Sequence, residues 1–94
     1  MRISELPVIH NIDKKCFEIH IEAQTAELNY HLFGNSIIFT HTGVPPALEG
    51  RGIGSLLVKT GLEYARKNNL KVQSLCWFVS GYIQRHPEYQ GLFL

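Results

Sequence analysis

The run Glu49-Gly50-Arg51-Gly52-Ile53-Gly54 sets three glycines at alternate positions directly before an amphipathic segment. A glycine in a helix interior costs about 0.5–1 kcal/mol relative to alanine. Three at a helix start therefore imply backbone angles closed to other residues, or something that must approach the backbone closely. The start of a helix presents unpaired N–H groups and a partial positive charge. Together these features make an anion site suited to a phosphate or pyrophosphate. A ligand-free glycine-rich turn has the same spacing, and the residues alone leave both readings open. The loop is not a Walker A loop, because no Lys-Ser/Thr follows the last glycine. Nor does its spacing match the dinucleotide fingerprint GxGxxG.

Two further side chains carry chemistry. His41 falls at the end of an apolar strand-like run, where an imidazole could relay a proton; a strand-end histidine satisfied by backbone bonds reads the same way. Cys76 closes a later strand-like run. As a nucleophile it needs a cation or a helix N-terminus beside it, because an unactivated thiol is mostly protonated at pH 7. A buried, packing cysteine is the alternative. Cys16, Trp77, His10, His20 and His31 have no partner at a useful spacing, and no His/Cys/Asp/Glu group has metal-ligand spacing.

The elements that position these residues follow from hydrophobic periodicity. Residues 16–22 alternate, with Phe17, Ile19 and Ile21 on one side. Residues 25–33 alternate again through Ala26, Leu28, Tyr30 and Leu32, and Gly34-Asn35 marks a turn before a third strand at 36–41. Three strands this close predict an antiparallel meander, with an edge strand within 7–12. Pro45 and Pro46 lack N–H donors, so Thr42–Pro46 is expected to leave the sheet. A helix is predicted from about Ile53 to Asn68, burying Ile53, Leu57, Val58, Gly61, Leu62, Tyr64 and Ala65, with a Glu63–Lys67 pair on its outer face. A strand at 70–77 and a short helix at 78–85, stopped before Pro87, complete the order β-β-β-loop-α-β-α. A parallel crossover is expected where strand, helix and strand succeed one another, and the two helices are expected on opposite faces of the sheet.

The whole chain has 94 residues, enough for one domain of ordinary size. Its composition, 45% hydrophobic and 18% charged, is that of a globule and not of a disordered chain. A net charge of +1 argues against a protein that works by gripping nucleic-acid backbones. No run approaches the ~20 apolar residues of a membrane span, and MRISELPVIHNIDKK is not a secretory signal. Two separated cysteines make no disulfide framework, so free thiols in a reducing cytoplasm are expected.

The run from His41 to Leu57, HTGVPPALEGRGIGSLL, resembles the acetyl-CoA-binding motif Q/R-x-x-G-x-G/A of the GNAT superfamily of N-acetyltransferases. Glu49 occupies the Gln/Arg position, and Gly52 and Gly54 the two glycine positions. The likeness is greatest to short single-domain GNAT-like proteins, through HTxVPPxLxGxGIG, Cys76-Trp77, Tyr82 and Arg85-His86-Pro87-Glu88-Tyr89. It extends over roughly residues 16–93 and implies an α+β fold, a mixed sheet in which an antiparallel meander is followed by β-loop-α-β-α. On that resemblance, Glu49, Gly50, Arg51, Gly52, Ile53, Gly54 and Ser55 would hold the CoA pyrophosphate. The pantetheine arm would lie between the strand leading to Val44 and the strand ending at Cys76. Tyr82 stands where the resemblance puts an acid near the CoA sulfur. Two departures stand out: Glu49 brings a carboxylate close to the phosphates, and Gly43 stands where short relatives often carry Glu.

The resulting expectation is a single acetyl-CoA-dependent domain over residues 1–94. It would pass acetyl to an amine-bearing small molecule or peptide by direct attack in a ternary complex, as a cytoplasmic monomer. An acetyl relay through Cys76 is a variant of this reading. A non-catalytic CoA or acyl-CoA binding module, which the missing Glu at Gly43 would suit, is the alternative.

Overall fold

Alternating apolar residues and tight turns build the first half of the chain into a meander. The computed structural model describes residues 6–93. Residues 1–5, part of the segment read above as no secretory signal, and residue 94 lie outside the described residues. Strand β1 covers Ile9–Asn11, β2 Cys16–Ile21, β3 Gln24–Phe33, β4 Ser36–Gly43 and β5 Lys71–Ser74. They form one sheet in the order β1-β2-β3-β4-β5, antiparallel throughout except for the parallel β4–β5 pair. Helix α1, Ile53–Lys67, crosses between β4 and β5, and helix α2, Trp77–Arg85, follows β5. The second helix ends before Pro87, and a 3-10 segment over Pro87–Leu92 leads to a parallel bridge between Phe93 and Val72.

Both helices lie on the same face of the sheet, not on opposite faces. A Cβ at Gly61 of α1 would meet the Phe39 and Leu28 side chains at 3.0 and 3.1 Å. Those residues therefore face α1, and Gly61 lets the helix sit close over them. Phe39 is registered with Ser74 of β5, so the two share that face. Ser80 of α2 donates a hydrogen bond to Ser74 Oγ at 2.9 Å, which puts α2 there too. One continuous core results, formed by Phe17, Ile19, Ala26, Leu28, Ile37 and Phe39 of the sheet under Leu57, Leu62, Val79 and Ile83 of the helices. The physical reason is the direction of travel. Phe93 pairs beyond β5 in the same sense in which β5 pairs beyond β4, and successive crossovers that advance in one direction stack their helices on one side.

The other face carries Glu18, His20, Glu27, Asn29 and His31 towards solvent, with Glu18 registered against Glu27. Of the predicted apolar stripes, Leu32 runs past the helices and is 46% exposed. On α1 the buried side is as expected, with Tyr64 half-buried. Glu63, however, pairs with Arg66 at 3.2 Å and accepts a 2.6 Å bond from the Tyr89 hydroxyl, instead of pairing with Lys67.

Strand β4 is longer than its sequence suggests. Thr42 and Gly43 stay in the ladder, opposite Leu28 and Glu27 of β3, and only at the prolines does the chain turn away. Between the pairs Tyr30–Phe39 and Asn29–His41 the register slips by one, leaving Thr40 as a bulge. On its other edge β4 loses β5 earlier: the last registered pair is Phe39–Ser74, followed by one bond from Leu75 N–H to the Phe39 carbonyl. The two parallel strands thus part at the bulge, before either proline. The predicted strand at 70–77 ends at Ser74, because the chain from Trp77 onward is already helical.

Candidate functional site

Where β4 and β5 part, a cleft of about 700 Å³ opens. Its walls are Thr40 to Val44 on β4 and beyond, Leu48 to Gly50 and Gly52 to Ser55 around the start of α1, and Leu75 to Phe78 at the start of α2. That volume suits an extended cofactor arm or a small molecule.

One end of the cleft is the N-terminus of α1. No side chain caps this helix, and no acidic residue stands in its first turn. Its first intrahelical bond runs from Leu56 N–H to the Gly52 carbonyl, so the N–H groups of Ile53, Gly54 and Ser55 have no partner within the helix. Gly50 and Gly52 both take left-handed backbone angles, φ +80° and +81°, with open space where a Cβ would stand. Gly54 serves a different purpose. A Cβ there would come within 2.9 Å of the Phe78 ring, so this glycine lets α1 and α2 close on one another. The alternating glycines thus combine the two causes that their spacing suggested. Glu49 and Ser55 line the cleft, Glu49 exposed at its rim and free of ion pairs among the described residues. The Arg51 side chain is exposed and is not part of the wall.

The other end is Cys76. Its Sγ lies 3.4 Å from Thr42 Oγ1, across the gap between the parted strands. Cys76 is also the N-cap of α2. Burial pushes the thiol up, but the Thr42 hydroxyl and the N–H groups of Val79, Phe78 and Thr42 outweigh it. The net position is below the ordinary thiol range. The helix N-terminus that a reactive cysteine requires is therefore in place, built from the residues that follow it. Cys16 contrasts with it: buried, and donating to Glu18 at 3.2 Å, its thiol is pushed up to about 11. Both cysteines are free.

His41 lines the cleft and turns to the open face of the sheet, opposite Asn29. Val44, Ile53 and Gly54 stand in the wall of the cleft. Tyr82 is not brought to the cleft. It is 5% exposed, stacked on His86 at 3.8 Å and set near Tyr89, and burial raises its hydroxyl above the usual phenol range. Helical spacing turns it inward, because α2 begins at Trp77 and residues 79, 82 and 83 form its core stripe. Sequence reasoning missed Thr40, Thr42, Leu75, Trp77 and Phe78 as cleft residues. Trp77 is the one with a usable signal: an indole at a helix start, 83% exposed, at the mouth of the cleft.

A family model described as GCN5-related N-acetyl-transferase matches residues 16–92. The chain is 31% identical over 83 residues to Protein NATD1 of Mus musculus, covering 85% of this chain and 76% of that one. It is likewise 31% identical over 83 residues to Protein NATD1 of Homo sapiens, covering 85% and 74%. A GCN5-like protein of Staphylococcus aureus, solved in solution by NMR, superposes with a TM-score of 0.76 at 33% identity, over 97% of this chain and 90% of that one.

Proposed function

Because the chain belongs to the GCN5-related N-acetyltransferase family, we propose that it passes the acetyl group of acetyl-CoA to an amine-bearing small molecule or peptide in a ternary complex. One observation carries the reading: a single cleft joins the uncapped start of α1 to the Thr42–Cys76 contact. The residues present fit the cofactor, since the open space above Gly50 and Gly52 leaves the helix-start amides accessible to a diphosphate. The N–H groups of Ile53, Gly54 and Ser55 would hold it, with Gly43 and Val44 along the arm. Bound acetyl-CoA supplies the activated acetyl thioester.

The chain's own residues orient the reaction and move protons. Holding thioester and amine together is a large part of the acceleration. The donors around Cys76 Sγ, namely the Thr42 hydroxyl and the amides of Phe78 and Val79, stabilise negative charge at that end of the cleft. His41 stands on the open side as a proton carrier.

The same donors favour a second reading, the relay through Cys76. In it the Cys76 thiolate forms a bond to the acetyl carbon as the CoA thiolate leaves. The amine then attacks the acetyl-cysteine and restores the thiol. We propose a cytoplasmic monomer that takes neither nucleic acid nor membrane as partner.

Calorimetry with acetyl-CoA and with desulfo-CoA, followed by thiol release over a panel of amines, tests the reading. Binding with amine-dependent thiol release is expected. Tight binding without release for any amine would leave only the binding module. A Cys76→Ser protein that transfers at the full rate would remove the relay and leave direct attack.

A further inference from the structure

Trp77, the first residue of α2, lines the cleft and is 83% exposed. Its ring packs edge to face against the ring of Phe78, with centroids 5.9 Å apart and planes at 76°. Phe78 in turn is the side chain against which α1 closes, since a Cβ at Gly54 would stand 2.9 Å from it. The indole is therefore one aromatic ring away from the start of α1. The edge-to-face contact is a preferred geometry and holds the indole in place, while its exposure leaves at least one face of the ring open. The charges of the wall bear on what that face is for. Among the described residues of the wall, Glu49 is the only one with a formal charge, and its sign is wrong for phosphate. The amides at the start of α1 suit a diphosphate. What CoA carries beyond its diphosphate, an adenosine with a further phosphate, meets no side-chain cation in that wall. The contact available to it is a neutral one, the open aromatic face.

We propose that Trp77 forms a base subsite at the mouth of the cleft, stacking its indole on the adenine of CoA or acetyl-CoA while the start of α1 holds the diphosphate. The proposal rests on the cofactor part of the function proposed above, and not on the transfer step. Stacking on a base draws on its π-face, which every base has, and not on its hydrogen-bonding edge. The subsite therefore takes an aromatic base on a diphosphate linker and tolerates changes to the edge of that base. It also supplies affinity where the wall supplies no positive charge.

The test compares wild type, Trp77→Ala and Trp77→Leu for binding of CoA by calorimetry and of its ethenoadenine analogue by the emission of the modified base. The side chain is so exposed that its truncation leaves the core untouched. Wild type is expected to bind both ligands with similar affinity and to quench the ethenoadenine at saturation. Trp77→Ala should lose about 5- to 150-fold in CoA affinity, the range for one base stacked on one aromatic ring, and should leave the bound ethenoadenine bright. Trp77→Leu keeps an apolar side chain but no ring, and should behave as Trp77→Ala does. Unchanged CoA affinity in Trp77→Ala, equal ethenoadenine emission in wild type and Trp77→Ala at saturation, or wild-type affinity in Trp77→Leu each overturns the inference alone. A wild-type protein that binds neither ligand overturns the cofactor reading, and this inference with it.

Discussion

Thr42 and Cys76 come from strands that have already parted, yet their side chains meet at 3.4 Å across the gap. The contact exists because the Thr40 bulge turns Thr42 to the helix face, and because α2 starts immediately after Cys76. Thr42→Val should therefore raise the Cys76 thiol towards the ordinary range. Removing one such donor costs about 1 kcal/mol, which is a several-fold loss of thiolate at pH 7. Alkylation rates followed against pH check this. Wild type should react with a midpoint below that of a free thiol, and Thr42→Val with a higher one. Cys16 should stay silent below its shifted value of about 11. Equal profiles for the two proteins would show that Thr42 does not tune the sulfur.

Gly52 sits at φ +81° directly before α1. Gly52→Ala should cost about 1–2 kcal/mol of local strain, since an L side chain is disfavoured in that region. Gly52→Glu adds a carboxylate beside the open helix N–H groups, and should remove acetyl-CoA binding in calorimetry. If Gly52→Glu still binds with wild-type affinity, the phosphate site is elsewhere.

Trp77 is the sole tryptophan and lies at the cleft mouth. Its emission should shift to shorter wavelength and change intensity as acetyl-CoA saturates the protein, with the same midpoint as calorimetry. A spectrum insensitive to saturating cofactor would place the ligand away from α2.

Burial lowers the pKa of His10 below its ordinary 6.5. The ring stacks on Phe17 at 4.2 Å, and its Nε2 shares a 2.6 Å hydrogen bond with the Tyr30 hydroxyl. The unfolded chain takes the proton first as pH falls. Stability from His10 is therefore complete above about 6.5 and is lost as pH drops from there towards the lower folded-state value. Glu18 is held below the usual carboxylate range, first by the Cys16 thiol and then by His20, so its contribution fades only in more acid solution. Melting temperatures at pH 7.5, 6.5 and 5.5 should fall for wild type and flatten for His10→Gln. Parallel curves would remove His10 as the cause.

The meander, α1 and the glycine loop were legible because their signals are local: alternation in 16–33, a 3.6-residue stripe in 53–67, and glycines at 50, 52 and 54. What escaped depends on non-local geometry. The side of the sheet taken by α2 depends on where Phe93 docks, which no period encodes. The end of β5 at Ser74 depends on α2 starting at Trp77, although Leu75-Cys76-Trp77 reads as a continuation of the strand. Tyr82 was placed near the sulfur by resemblance, while the helical phase of α2 turns it into the core. Thr42 and Gly43 remained in the ladder because Leu28 and Glu27 of the long β3 strand still face them, whatever the prolines do next.

The bulge at Thr40 works as a half-period shift in β4. One unpaired residue hands the thiol's partner to one side of the sheet and the imidazole to the other, within three consecutive positions. Paired straight on, with Thr40 opposite Asn29 and His41 opposite Leu28, the strand would leave nearly every apolar contact of the core in place and exchange the two side chains. A molecule with the same burial would then have its chemistry inside out.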